Sequence, residues 1–464
     1  MSQTTNLVYN VKDKPGFGKV IVFALQQLLA ILAATVAVPA IIGHGMSPAA
    51  ALLGAGVGTL VYLLFTKFRS PVFLGSSFAF LGSMGAAFAG AVSMGNEKLG
   101  YFGLLIGAVS AGLVYVLIAL LVKFVGSRWI SRIMPAVVIG PTVAIIGLSL
   151  AGNAVGDLTS GAFQTTNTYL AFCIGLVTLI TTIVASVYFK GFLKMIPFVL
   201  GIVAGYAVAS LFTVIGIAAN NDALKVIDFS KFQNIEWIPS FTFIQGFGAL
   251  KEIPDAGEFM GYIGSVVVAY VPVAAVVFAE HIADHKNLSS IIGTDLLEDP
   301  GLHRTLLGDG VGSMAGAFFG GCPNTTYGES IGTVAISGNA STITILVTAI
   351  AAIILAFVGP FATFLETIPA CVMGGVCIAL YGFIAVSGLK MLQPVDLGDN
   401  RNLFVASVIL ITGIGGLSLT FGKVTITPVA CALILGIIVN CIVGFNRNRK
   451  AELEAAAKAN KEEK

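Results

Sequence analysis

GCPNTTYGESIG, residues 321–332, sets a carboxylate, two threonines, an asparagine and a tyrosine between two long apolar runs. Two β-branched threonines and an aromatic residue between Pro323 and Gly328 make a poor helix interior and a good short extended piece. A second stretch has the same character. GSSFAF, Gly75 to Phe80, repeats the order hydroxyl, hydroxyl, aromatic found in NTTYGE, Asn324 to Glu329. Farther out, MPAVVIG (Met134 to Gly140) is echoed by IPACVMG (Ile368 to Gly374).

The surroundings of these stretches are those of a membrane. Of 464 residues, 56% are hydrophobic and only 10% charged, with mean hydropathy +0.94, whereas soluble domains carry about 25% charged residues. Runs of spanning length lie near 20–43, 47–66, 71–94, 100–122, 133–151, 168–189, 195–219, 258–283, 304–320, 323–337, 341–366, 368–389, 402–420 and 424–445. The chain is therefore expected to be an all-α polytopic membrane protein of 14 transmembrane segments. An even count puts both termini on one side. Of the 25 basic residues, only Lys98, Lys225, Lys231, Lys251 and Lys423 then fall on the other side, so the termini are expected in the cytoplasm of a cell-membrane protein. The first run follows a polar arm carrying Lys12, Lys14 and Lys19 and is long enough to span, so it reads as a retained helix rather than a cleaved signal. The six cysteines show no CxxC spacing or histidine pairing, which argues against a disulfide framework or a metal site. No basic stripe suits nucleic acid.

Both echoes fall seven spans apart. A repeat of seven spans enters the bilayer upside down, so the chain reads as 7+7 inverted repeats, an arrangement common in secondary transporters. The expected layout is a cytoplasmic arm (1–19), a first repeat (20–219), an external loop (220–257), a second repeat (258–445) and a charged cytoplasmic tail (446–464). Extended backbone at membrane depth is tolerated only where it is buried in protein or lines a cavity. Two such pieces near the midplane can pair with each other, and helices starting beside them aim unpaired N–H groups at one place.

Acids within apolar spans are costly, by roughly 2.5 to 3.5 kcal/mol each on insertion scales, and mark function by default. Glu280, in VVFAEHIADH, and Glu329 are two such residues. Asp284 lies one helical turn beyond Glu280 on the same face, so the two form a stepped pair suited to passing a proton. A purely structural role, with each acid bonded to a neighbouring helix, is the competing reading. It weighs most for Asp284, His281 and His285, close to the expected helix end. His44 and His303 fall at span ends and read as solvated.

AEHIADH, DLLEDPGLHRTLLGDGVGS, PNTTYGESIGTVAIS and LQQLLAILAATVAVP together resemble the nucleobase-ascorbate transporter family, also called nucleobase:cation symporter 2, on the side of its bacterial uracil permeases. The likeness runs from about Phe17 to Phe445. It implies short antiparallel strands in spans 3 and 10, and a core domain (spans 1–4 and 8–11) rocking against a gate domain (spans 5–7 and 12–14). It also implies substrate contacts at Glu280, Glu329, Phe78, Tyr327 and Gly328, further pocket positions at Ala34 and Tyr381, and a homodimer. Three departures stand out. Asp284 replaces a histidine, Gln27 stands where the family often has histidine, and Ser330 and Ser337 replace asparagine and threonine of the signature.

The residue types complement uracil, a flat neutral ring with N–H donors and carbonyl acceptors. Glu280 and Glu329 accept from the ring N–H groups, backbone N–H groups near Phe78 and Gly328 donate to the carbonyls, and Phe78 and Tyr327 offer ring faces. Glu280 with Asp284 would couple transport to a proton, with no other cofactor. The sequence holds no nucleophile, metal set or phosphate-binding loop, so it does not read as an enzyme. The alternatives are a xanthine, uric acid or other purine permease of the same family and an anion transporter on the same inverted fold.

Overall fold

The computed structural model describes residues 7–253, 255–421 and 424–444. The tail expected at 446–464 lies outside them. The first half runs α1 (Phe17–Ile42), α2 (Pro48–Phe65), β1 (Leu74–Ser76), a 3-10 turn at Phe78–Phe80, α3 (Leu81–Ser93), α4 (Leu99–Val125), α5 (Arg128–Ile133), α6 (Ala136–Ser149), α7 (Ala151–Asp157), α8 (Thr168–Tyr188), α9 (Phe192–Met195) and α10 (Pro197–Ala218). After a connection containing α11 (Thr242–Ala249), the second half runs α12 (Ala256–Ile292), α13 (Leu302–Gly320), β2 (Asn324–Thr326), α14 (Gly328–Ser337), α15 (Thr342–Ala356), α16 (Gly359–Thr367), α17 (Ala370–Lys390) and α18 (Asn400–Ile414). A hairpin of β3 (Leu419–Phe421) and β4 (Val424–Ile426) leads into α19 (Pro428–Gly444).

The two extended pieces do pair. β1 and β2 are antiparallel, with Leu74 opposite Thr326, Gly75 opposite Thr325 and Ser76 opposite Asn324. Aligning SSF on TTY makes Gly75 the counterpart of Asn324 and Ser76 that of Thr325. Each strand is followed by a shortened helix, α3 or α14, in place of a full-length one.

Eight helices among the described residues are long and apolar enough to cross a membrane by length and composition, or nine if a bent pair counts as one. That pair corrects an expectation. The sequence of the run 341–366 predicts one span, whereas α15 and α16 meet at 83°, because Pro360 lacks the N–H needed to continue a helix and sits in the first turn of the new one. Runs 71–94 and 323–337 are strand plus helix, and 424–445 begins with the hairpin strand β4. The connection 220–257 is partly structured: α11 lies on α4, with Gly246 against Phe102, and Phe243 stacks on Phe318 at 4.6 Å.

Packing sorts the helices into two groups. α2 runs closely along α13 and α15, and α4 along α12, α13 and α3, with α1 joining through α15. Separately, α6 packs on α17 and α18, and α8 on α10 and α17. Asn324 fits the first group together like a wedge. Its Nδ2 donates to Gly54 O at 3.1 Å, and a Cβ at Gly316 or Gly58 would lie only 2.1 Å or 2.4 Å from that nitrogen. α12 and α1 supply most of the contact between the groups.

Candidate functional site

A cavity of about 280 Å³ lies between the two groups. From the first it takes Ser76, Ser77 and Phe78 at the end of β1, Thr325 to Glu329 across the end of β2 and the start of α14, and Glu280 and Asp284 of α12. From the second it takes an apolar wall that includes Val143, Phe198, Phe383 and Ile384. The strand pair thus brings the starts of two half-helices to one place, where first-turn N–H groups have no acceptor within the helix.

Local bonds fix the arrangement. The Tyr327 hydroxyl donates to Ser76 O at 2.9 Å across the strand pair. Its ring lies over Gly75, where a Cβ would come within 2.2 Å, so only glycine admits that crossing. On α2, Thr59 Oγ1 accepts from Leu74 N at 2.9 Å. Ser330 accepts from Phe73 N at 3.0 Å and from Gln27 Nε2, so two of the three departures from the family pattern touch each other.

The acids differ in how they are held. Asp284 Oδ2 accepts from Thr326 Oγ1 at 2.7 Å, which ties α12 to β2. No side-chain hydrogen bond reaches the Glu280 or Glu329 carboxylate among the described residues. Glu329 stands in the first turn of α14, where a helix N-terminus favours negative charge. Three buried hydroxyls on the cavity wall, Ser76 Oγ, Ser77 Oγ and Thr325 Oγ1, also lack partners among the described residues.

Of the residues singled out in the sequence, Phe78, Glu280, Asp284, Tyr327, Gly328 and Glu329 all line this cavity. Ala34 and Tyr381 do not. Ala34 is fully buried, and Ala30, one turn earlier on α1, lines the wall instead. Tyr381 meets Phe78 edge-on at 5.5 Å. His281 and His285 are not near a helix end, because α12 continues to Ile292, and both are fully buried away from the cavity. His281 Nδ1 bonds Asp309 Oδ2 at 2.7 Å and Nε2 bonds Thr305 Oγ1 at 3.0 Å. His285 Nδ1 donates to His281 O at 2.8 Å, and its Nε2 bonds the Tyr62 hydroxyl at 2.7 Å. His44, expected to be solvated, pairs with Glu97 at 2.6 Å and stacks on Phe88 at 4.3 Å. Asp309 is not among the acids singled out in the sequence, although it too is an acid within an apolar run, 304–320. No cluster of three or more His, Cys, Asp or Glu side chains suited to a metal occurs among the described residues.

The family described as the Permease family matches residues 18–421. The chain is 40% identical to the uracil permease of Bacillus caldolyticus, over 94% of either chain. It is 36% identical to the uracil permease of Bacillus subtilis (strain 168), over 95% of this chain and 96% of that one. Among solved structures, the transmembrane domain of a cyanobacterium bicarbonate transporter, BicA, matches with a TM-score of 0.60 at 15% identity, over 94% of this chain and 100% of its own. That last likeness is one of fold.

Proposed function

This chain belongs to the permease family, and from that premise we propose that it carries uracil across the membrane by proton symport with alternating access. Its family and relatives are permeases, so it is a transporter and not an enzyme. One observation carries the substrate reading. Two carboxylates without side-chain partners among the described residues, Glu280 and Glu329, share a cavity with the starts of two half-helices and with Phe78 and Tyr327. Carboxylates accept from the ring N–H groups of uracil, free backbone N–H groups donate to its carbonyls, and the rings sandwich its faces.

The packing groups supply the moving parts of this proposal, the first as core and the second as gate. The lining residues of α12 and α17 fall toward the C-terminal ends of those helices, at Glu280 to Asn287 and Phe383 to Ser387, and those of α14 run from its start at Gly328 to Ile336 near its C-terminal end. With cytoplasmic termini these ends face the cytoplasm, so the conformation is inward-open, and the Phe78–Tyr381 contact lies on the closed side. Glu280 exchanges the coupling proton, assisted by Asp284, and a homodimer forms through the gate. A monodisperse monomer transporting at full rate in nanodiscs would count against the dimer.

The test is competition of labelled uracil uptake by a nucleobase panel in membrane vesicles, with and without a pH gradient. Uracil is expected to compete best, and accumulation to collapse when the gradient is dissipated. Equal competition by xanthine would make the protein a purine permease, for which a cavity of about 280 Å³ has room.

A further inference from the structure

A second, much smaller void lies inside the first packing group, walled by Phe80, Tyr115, Asp309, Ser313 and Asn324 among others. It shares no lining residue with the transport cavity. Its volume is about 10 Å³, near the room one water molecule requires.

Three orphaned polar atoms belong to its wall: Asp309 Oδ1, Asn324 Oδ1 and the Tyr115 hydroxyl, on residues that are 1%, 2% and 4% exposed. Their roles are set by their other bonds. Asn324 Nδ2 already donates to Gly54 O, which leaves Oδ1 as an acceptor. Asp309 Oδ2 holds His281 Nδ1, which leaves Oδ1 free to accept. The tyrosine can donate. Two acceptors and one donor around a space of this size complement the two hydrogens and a lone pair of one water. Leaving three such atoms unpaired would be costly. The void offers four side-chain oxygens, counting Ser313, fewer than the six or more that calcium takes.

We infer that this void holds one ordered water hydrogen-bonded to Asp309, Asn324 and Tyr115, and that the water joins β2 to α12. The path runs from Asn324 through the water and Asp309 to His281, the residue after Glu280. Thr326 and Asp284 make the other tie between the same two elements. Held from two sides, α12 cannot rotate about its axis, so Glu280 stays aimed into the cavity. Asn324, Asp309 and Tyr115 are then positioning residues acting through the water. Their effect on uracil rests on the proposed function, whereas the water itself does not.

The test uses the full chain in nanodiscs, in choline chloride without sodium. A structure resolved to about 2 Å should show one density peak within hydrogen-bonding distance of all three atoms. Thermal unfolding in sodium chloride and in choline chloride should superimpose. Ordered side chains around an empty void would overturn the inference, and so would stabilisation by sodium, which would make a monovalent cation the occupant. For the positioning role, Tyr115→Phe deletes one bond and keeps the ring. It should raise the KM for uracil roughly two- to tenfold with little change in maximal rate. An unchanged KM alongside an observed water would remove the positioning role and leave the water.

Discussion

Glu329 occupies the first turn of α14 on the cavity wall, and among the described residues no side chain hydrogen-bonds its carboxylate. Glu329→Gln keeps the shape but sets an amide donor against a ring N–H. Losing a hydrogen bond to a charged group costs about 1.5 to 3 kcal/mol, so uracil binding should weaken roughly ten- to hundredfold while the protein stays folded. Calorimetry on the purified variant checks this, and wild-type affinity would remove Glu329 from the site. Asp284 faces the same cavity one turn from Glu280, about 5.4 Å along the axis. Two carboxylates at that spacing disfavour ionising together, whereas a protonated histidine in its place would favour ionised Glu280. Uptake against pH for wild type, Asp284→Asn and Asp284→His should therefore give separated profiles, with affinities at each optimum within a few-fold. Superimposable profiles would leave Asp284 only its tie to Thr326.

At the scale of elements, the N-terminal arm has a role that its polarity conceals. Val8 N and Tyr9 N donate to Gly338 O, Ala340 N donates to Tyr9 O, and Thr342 N donates to Val11 O. Leu7 and Val11 pack with Leu288 of α12 and with Ile331 and Val334 of α14. The arm thus straps the two helices that carry the acids. Deleting residues 2–13 should lower the thermal midpoint by several degrees and impair uptake more than it lowers the amount of protein in the membrane. Unchanged stability by fluorescence-detected size exclusion would show the strap to be idle. The α2–α13 seam makes a second prediction. Gly316→Ala places a methyl against Asn324 with no room to yield, and overpacking of this kind costs about 1 to 3 kcal/mol. The same assay should show a destabilised protein, whereas Gly85→Ala, facing open space, should not.

For the whole molecule, Lys194 of α9 and Asn287 of α12 line one cavity from opposite packing groups. If transport moves one group against the other, linking these positions should stop it. In a background with the six cysteines replaced, Lys194→Cys with Asn287→Cys should lose uptake on treatment with a bifunctional thiol reagent and regain it on reduction. Neither single variant should respond in that way. Full uptake by a quantitatively linked protein would rule out rocking at this seam.

Membrane class, the placing of most apolar helices and the paired extended pieces were all legible in the chain, because each rests on a local property. Spanning runs follow from hydropathy summed over about twenty residues. The strands follow from hydroxyl and aromatic residues that resist helix at a depth where unpaired backbone is forbidden. An acid in an apolar run is conspicuous for the same reason, and Glu280 and Glu329 were found that way. What depended on neighbours was out of reach. The bend between α15 and α16, the choice of Ala30 over Ala34 on the cavity wall, and the withdrawal of Tyr381 behind Phe78 depend on helix rotation and crossing, which side chains from distant segments decide. So does the contrast between Glu280 and Asp309. Both are acids in apolar runs, yet one opens on the transport cavity and the other is locked to His281, because what a buried charge does depends on the partners that folding brings within hydrogen-bonding distance.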